Sequence, residues 1–82
     1  MNIVEFTEFL VKSLVSNVDS VSVKEFDSDE ENTILIQVLV DNNDMGKVIG
    51  KGGKVANSIR SLVQASSYLK ENKKVKINID SF

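Results

Sequence analysis

The most legible chemistry in this chain lies in one stretch, Val48-Ile49-Gly50-Lys51-Gly52-Gly53-Lys54, which holds three of the four glycines. A residue without a Cβ takes backbone angles closed to other residues and lets a second backbone come close. From Lys54 to Leu69 apolar residues recur at helical spacing, so the turn opens onto a helix N-terminus. Free first-turn N–H groups, the positive end of the helix and nearby ammonium groups together make an anion site. Lys47, Lys51 and Lys54 supply the ammonium groups, Arg60 lies further along the helix, and Val48 and Ile49 are the apolar lead into the turn. The chemistry indicated is binding of phosphate groups.

The charge distribution agrees, although the whole chain carries a net −2. Residues 1–44 hold two lysines against ten acids, whereas residues 45–79 hold eight cations against Glu71 alone. Binding to phosphates follows the local field rather than the sum. The basic half is the half with the glycine turn. Blocks of charge also serve solubility, but together with the turn the asymmetry favours a polyanionic partner, bound modestly and with strong salt dependence.

Other phosphate and cation motifs fail on particular residues. A P-loop needs four residues between its glycines followed by Lys and Ser/Thr; Gly46 and Gly50 enclose three, and Gly52 follows Lys51. A dinucleotide fingerprint follows a strand directly, whereas this turn follows a helical segment. A calcium loop starting at Asp41 would place Met45, which has no side-chain oxygen, at a ligand position and Gly52 where a glutamate belongs.

Composition narrows the remaining classes. Eighty-two residues, 41% hydrophobic and 27% charged, predict a single globular domain over 1–82 with a small core. The chain has no histidine and no cysteine, so the usual general base, thiol nucleophile and zinc ligands are missing. Neither catalysis nor a metal or other cofactor is expected. The apolar runs are too short to span a bilayer and no signal-peptide pattern is visible, so a cytoplasmic protein without membrane association is the expectation.

The elements that must position the turn follow from periodicity. Ile3, Phe6, Leu10 and Leu14 predict an amphipathic helix from residue 3 to about 16, widened by Val4, Val11, Val15 and Val18. Val21, Val23 and Phe26 mark a short strand, and residues 27–32 a polar turn. Residues 33–40 form the clearest strand, with Ile34, Ile36, Val38 and Val40 on one face and Leu35 and Leu39 on the other, as suits a central strand. Asn43 or Asp44 is positioned to cap a short helix at about 45–49. The helix after the turn is expected to bury Val55, Ile59, Leu62, Val63, Ser66 and Leu69; Val75, Ile77 and Ile79 then alternate with polar residues in a last strand. The order is α-β-β-α-α-β, and the two-helix crossover predicts that the second and last strands pair in parallel.

This order, with Ile49-Gly50-Lys51-Gly52-Gly53 between the two later helices, resembles the type II KH domain of prokaryotic RNA-binding proteins. GKVIGKGGKVANSIRSLV, residues 46–63, is similar to the small single-KH proteins of bacteria known as the KhpA family. The resemblance implies an α+β fold, a three-stranded mixed sheet with helices packed on one face, and a chaperone-like binder of single-stranded RNA. It assigns Gly50-Lys51-Gly52-Gly53 as the Gly-x-x-Gly loop, with Lys54 and Arg60 on the following helix. Homodimerisation and a complex with a larger KhpB (Jag)-type RNA-binding protein are also implied. Where the family usually has a larger aliphatic residue and then a second basic one, this chain has Ala56 and Asn57, which implies a shallower and less basic groove.

On this reading the turn would hold about four nucleotides, with Lys47, Lys51 and Lys54 on phosphates. Bases would lie over Ile49, Val55, Ile59 and the Ile36/Val38 strand edge. The only tyrosine, Tyr68, is far along the helix, so aromatic stacking is expected to contribute little and binding to be broadly specific. The rival reading is a protein-interaction module, motivated by the small core and by Leu35 and Leu39 on the outer sheet face, with the glycine-turn helices as the alternative contact surface.

Overall fold

A computed structural model describes all 82 residues. Helix α1 (Ile3–Lys12) is followed by strands β1 (Ser22–Asp27) and β2 (Thr33–Val40), helices α2 (Met45–Ile49) and α3 (Lys54–Lys70), and strand β3 (Lys74–Ser81). Single 3₁₀ turns occupy Val18–Ser20, Asn42–Asp44 and Lys51–Gly53. The sheet order is β1-β2-β3, with β1 antiparallel and β3 parallel to the central β2. The helices cover the face bearing Ile34, Ile36, Val38 and Val40, which pack with Ile3 and Val11 of α1, Val48 of α2, and Ile59 and Val63 of α3. The α+β order and the parallel crossover expected from the sequence are both found.

Helix α1 starts at a reciprocal cap: Asn2 Oδ1 accepts the Glu5 N–H at 2.8 Å and Glu5 Oε1 accepts the Asn2 N–H at 3.0 Å. It ends at Lys12, four residues before the expected boundary. The cause is remote. The N–H groups of Ser16 and Asn17, which a longer helix would have used internally, donate to the Asp44 carboxylate at 3.1 and 3.0 Å. Leu14 and Val18, expected on the buried face, are instead 39% and 41% exposed.

Helix α3 has the expected length but a rotated face. Its buried positions are Ala56, Ile59, Val63 and Ser67, while Leu62 is 50% and Leu69 89% exposed. Small residues at 56 and 67 let the helix approach its neighbours closely, and the Ser67 hydroxyl is satisfied by donating to Lys73 O at 2.7 Å. A second side chain secures the same junction: Gln64 donates from Nε2 to Lys73 O at 3.0 Å and accepts the Val75 N–H at 2.8 Å. These bonds cover part of the outer edge of β3.

On the outer sheet face Leu35 and Leu39 are half-buried, and Phe26 lies opposite Leu35 in the β1–β2 register. No helix is long and apolar enough to cross a membrane.

Candidate nucleic-acid interface

The glycine turn is closed by two backbone bonds, Gly50 N–H to Gly46 O at 2.9 Å and Gly53 N–H to Gly50 O at 3.2 Å. Gly50, Gly52 and Gly53 have φ of 76°, 62° and 80°, a region that side chains disfavour. Gly50 is required on a second ground. A Cβ there would lie 2.8 Å from Val55 Cβ and 2.9 Å from Val55 N, so the backbone passes directly against the first turn of α3. A Cβ at Gly52 would meet nothing within 4 Å, and one at Gly53 only Asn57 Nδ2, at 3.9 Å. Helix α3 begins from Gly53 with no side chain capping its first turn; the Gly53 and Lys54 N–H groups donate to Gly50 O and Lys51 O within the turn itself.

The basic residues of the site divide into two kinds. Lys51 and Lys54 are exposed and take no part in the three ion pairs of the structure, which engage Lys12, Lys47 and Lys76. Lys47 is held: its Nζ lies 3.4 Å from Asp44 Oδ1 and also donates to Ser16 Oγ. Arg60 turns along α3 toward β3, donating from Nε to Ile77 O at 3.3 Å and from Nη1 to Asn57 Oδ1 at 3.2 Å. Ile49 is half-buried beside the turn and Val48 fully buried beneath it.

Of Asn43 and Asp44, the two expected caps of α2, Asp44 takes the N-cap position but makes no side-chain cap; Asp41 caps the preceding 3₁₀ turn, accepting the Asn43 N–H at 2.8 Å. Asp44 is 2% exposed. The N–H groups of Asn17 and Ser16, aided by Lys47, hold its carboxyl below the ordinary value of 3.8 against the opposing effect of burial.

The expected base-lining groove is corrected in part. Ile59, Ile36 and Val38 are 3%, 1% and 0% exposed and face the core, so no base can rest on them. Ala56 is likewise buried, and its small size bears on core packing rather than on groove depth. One of the open clefts of the surface lies between α3 and the start of β3, about 460 Å³, lined by Arg60, Ser61, Gln64, Ala65, Tyr68 and Val75. The sequence carries a signal for it: Gly53, Asn57, Arg60, Gln64 and Tyr68 recur at spacings of four, three, four and four, one continuous helix face from the turn to the cleft. Tyr68 is therefore part of the groove that opens at Arg60.

A parallel β-strand pair joined by two helices, with a glycine turn between those helices and an antiparallel strand added on the N-terminal side, defines a KH domain of the type II topology. The match to known proteins is at the level of family. Residues 4–79 fit the family model described as KhpA/KhpB, KH domain, and the chain belongs to that family. It is 44% identical over 75 residues to the RNA-binding protein KhpA of Clostridium perfringens, covering 92% of this chain and 96% of the relative. The RNA-binding protein KhpA of Caldanaerobacter subterraneus matches to the same extent. Among solved structures, Era in complex with MgGDPNP and a segment of 16S ribosomal RNA superposes with a TM-score of 0.69 at 20% identity. That superposition covers 96% of this chain and 29% of Era, and it shows a shared fold.

Proposed function

We propose that this chain is a non-catalytic, chaperone-like binder of single-stranded RNA that takes the sugar–phosphate backbone at the turn Gly50–Gly53. The observation that carries the reading is Gly50, where both the backbone angle and the contact with Val55 exclude a side chain and hold the main chain of the turn directly against the start of α3. Lys51 and Lys54, exposed and free of ion pairs, neutralise phosphates as mobile point charges. Gly52, Gly53 and Ile49 shape the contact. Lys47 contributes less because Asp44 already neutralises it, and Arg60 acts further along the groove. The KhpA relatives of Clostridium perfringens and Caldanaerobacter subterraneus are both named RNA-binding proteins, which supports the same reading. Titrating single-stranded RNA at rising salt tests it: affinity should fall steeply between about 50 and 200 mM salt. No binding at low salt would refute it.

A second reading concerns assembly in the cytoplasm, as a homodimer or with a larger KhpB (Jag)-type partner. It rests on an apolar cleft of about 400 Å³ between α1 and α3, lined by Phe6, Leu62, Ala65 and Leu69 among others, with Leu69 89% exposed. Leu62 and Leu69 of this cleft are exposed, whereas Leu35 and Leu39 on the sheet face are half-buried. Self-association there leaves the glycine turn accessible, so assembly and RNA binding are compatible.

A further inference from the structure

We propose that the open edge of strand β1 docks an extended, basic segment of a partner protein, which adds a strand to the sheet. This surface is separate from the glycine turn and from the cleft between α1 and α3, so docking here does not depend on RNA binding. The two edges of the sheet differ. Along the outer edge of β3, side chains of α3 engage main-chain groups: Gln64 accepts the Val75 N–H and Arg60 donates to Ile77 O. Strand β1 has β2 as its only neighbour, and outside that ladder no other main chain bonds to Ser22–Asp27. Lys24, Glu25, Phe26 and Asp27 are exposed in succession, so no helix covers this end of the strand. Its outward N–H and C=O groups are a template for a further extended chain.

Side chains at the edge select the occupant. Glu25 and Asp27 lie opposite Ile36 and Ile34, on the helix-bearing face of the sheet, and neither enters an ion pair. Asp29 and Glu31 of the adjoining turn are exposed and unpaired as well, while Glu30 is engaged by Lys76. On the other face Phe26, 52% exposed, stands beside Leu35, with Lys24 two residues before it. The complementary strand alternates lysine or arginine, set against the two carboxylates, with apolar residues set against Phe26. The same carboxylates repel phosphate, so RNA is not the occupant. A second copy is disfavoured too. Facing residues of an antiparallel pair share a face, so the fullest self-pairings of β1 set Lys24 against Lys24 or Glu25 against Glu25.

An alternating lysine–valine peptide of about eight residues, labelled for fluorescence anisotropy, is the probe. It should bind the full chain at low salt and shift the backbone amide resonances of Ser22–Asp27. The glutamate–valine counterpart should not bind, and N-methylation of the lysine peptide's backbone should abolish binding although its charge is kept. Glu25→Lys with Asp27→Lys, at exposed positions where circular dichroism should stay native, should weaken lysine-peptide binding by about fourfold or more. Amide shifts on α1 with β1 silent, equal binding of the N-methylated peptide, or no binding at millimolar peptide would each overturn the proposal. So would β1 amide shifts induced by protein concentration alone or by single-stranded RNA, which would assign the edge to a second copy or to nucleic acid.

Discussion

The Asp44 carboxylate accepts the backbone N–H of Asn17 at 3.0 Å across 27 residues of sequence. With the Ser16 N–H on its other oxygen, it fastens the end of the α1 region to the start of α2. The same carboxylate holds Lys47, so one buried acid both ends a helix and reduces the charge that one site lysine can offer.

Because Asp44 has a folded pKa below its ordinary 3.8, its stabilising contribution is complete above that value and is lost as pH falls through the lower folded value. Asp44→Asn should therefore lower the melting temperature at pH 7, since an amide presents a donor toward one of the two N–H groups. The gap from wild type should narrow as the pH is lowered below 3.8. Urea denaturation of both proteins across that range checks it; a gap independent of pH would mean that the carboxylate charge is irrelevant.

Gly50 and Gly46 offer a paired test of the turn. Gly50→Ala places a Cβ against Val55 and demands a positive φ, which alone costs about 1–2 kcal/mol. Gly46 sits in α2 with nothing within 4 Å of a built Cβ, so Gly46→Ala should be neutral or stabilise by about 0.5–1 kcal/mol. Equal stabilities for the two variants would show that the turn does not hold the described conformation.

Lys51→Asp with Lys54→Asp should abolish most RNA binding while the circular dichroism stays native, because both side chains are exposed and unpaired. Each phosphate contact removed should flatten the salt dependence by roughly 0.7 in the log–log slope for a single strand. Lys47→Gln should change that slope less. A larger effect at Lys47 would reverse the roles assigned to these lysines.

Ile59→Ala should cost about 2–5 kcal/mol, being a truncation in a closed core. Leu69→Ala, at 89% exposure, should stay within about 0.5 kcal/mol of wild type. Denaturant midpoints decide between this helix register and the one rotated toward the leucines.

Assembly is tested on the same leucines. Leu62→Lys with Leu69→Lys should yield a folded monomer, whereas Leu35→Lys with Leu39→Lys should leave the assembly intact. Light scattering over a concentration series distinguishes them, and a strictly monomeric wild type at high micromolar concentration would remove the assembly reading.

Much of this architecture is legible in the sequence. Strand β2 and helix α2 fall at 33–40 and 45–49 as their alternation and flanking polar residues predict, and the crossover between β2 and β3 dictates a parallel pair. The glycine turn is equally plain, because a backbone requirement at Gly50 is written as a missing side chain. What only the tertiary structure decided are choices between neighbouring options of similar local energy. Periodicity marks α3 as amphipathic, yet the buried face includes Ala56 and Ser67 rather than Leu62 and Leu69, since close approach to packed neighbours rewards small side chains. The end of α1 at Lys12 and the burial of Asp44 depend on each other over 27 residues, and neither segment carries the information alone. Tyr68 joins the groove for the same kind of reason: its place beside Val75 exists only once β3 has folded back along α3. Local patterns determine which elements form; the partner each surface meets is set by chain segments distant in sequence.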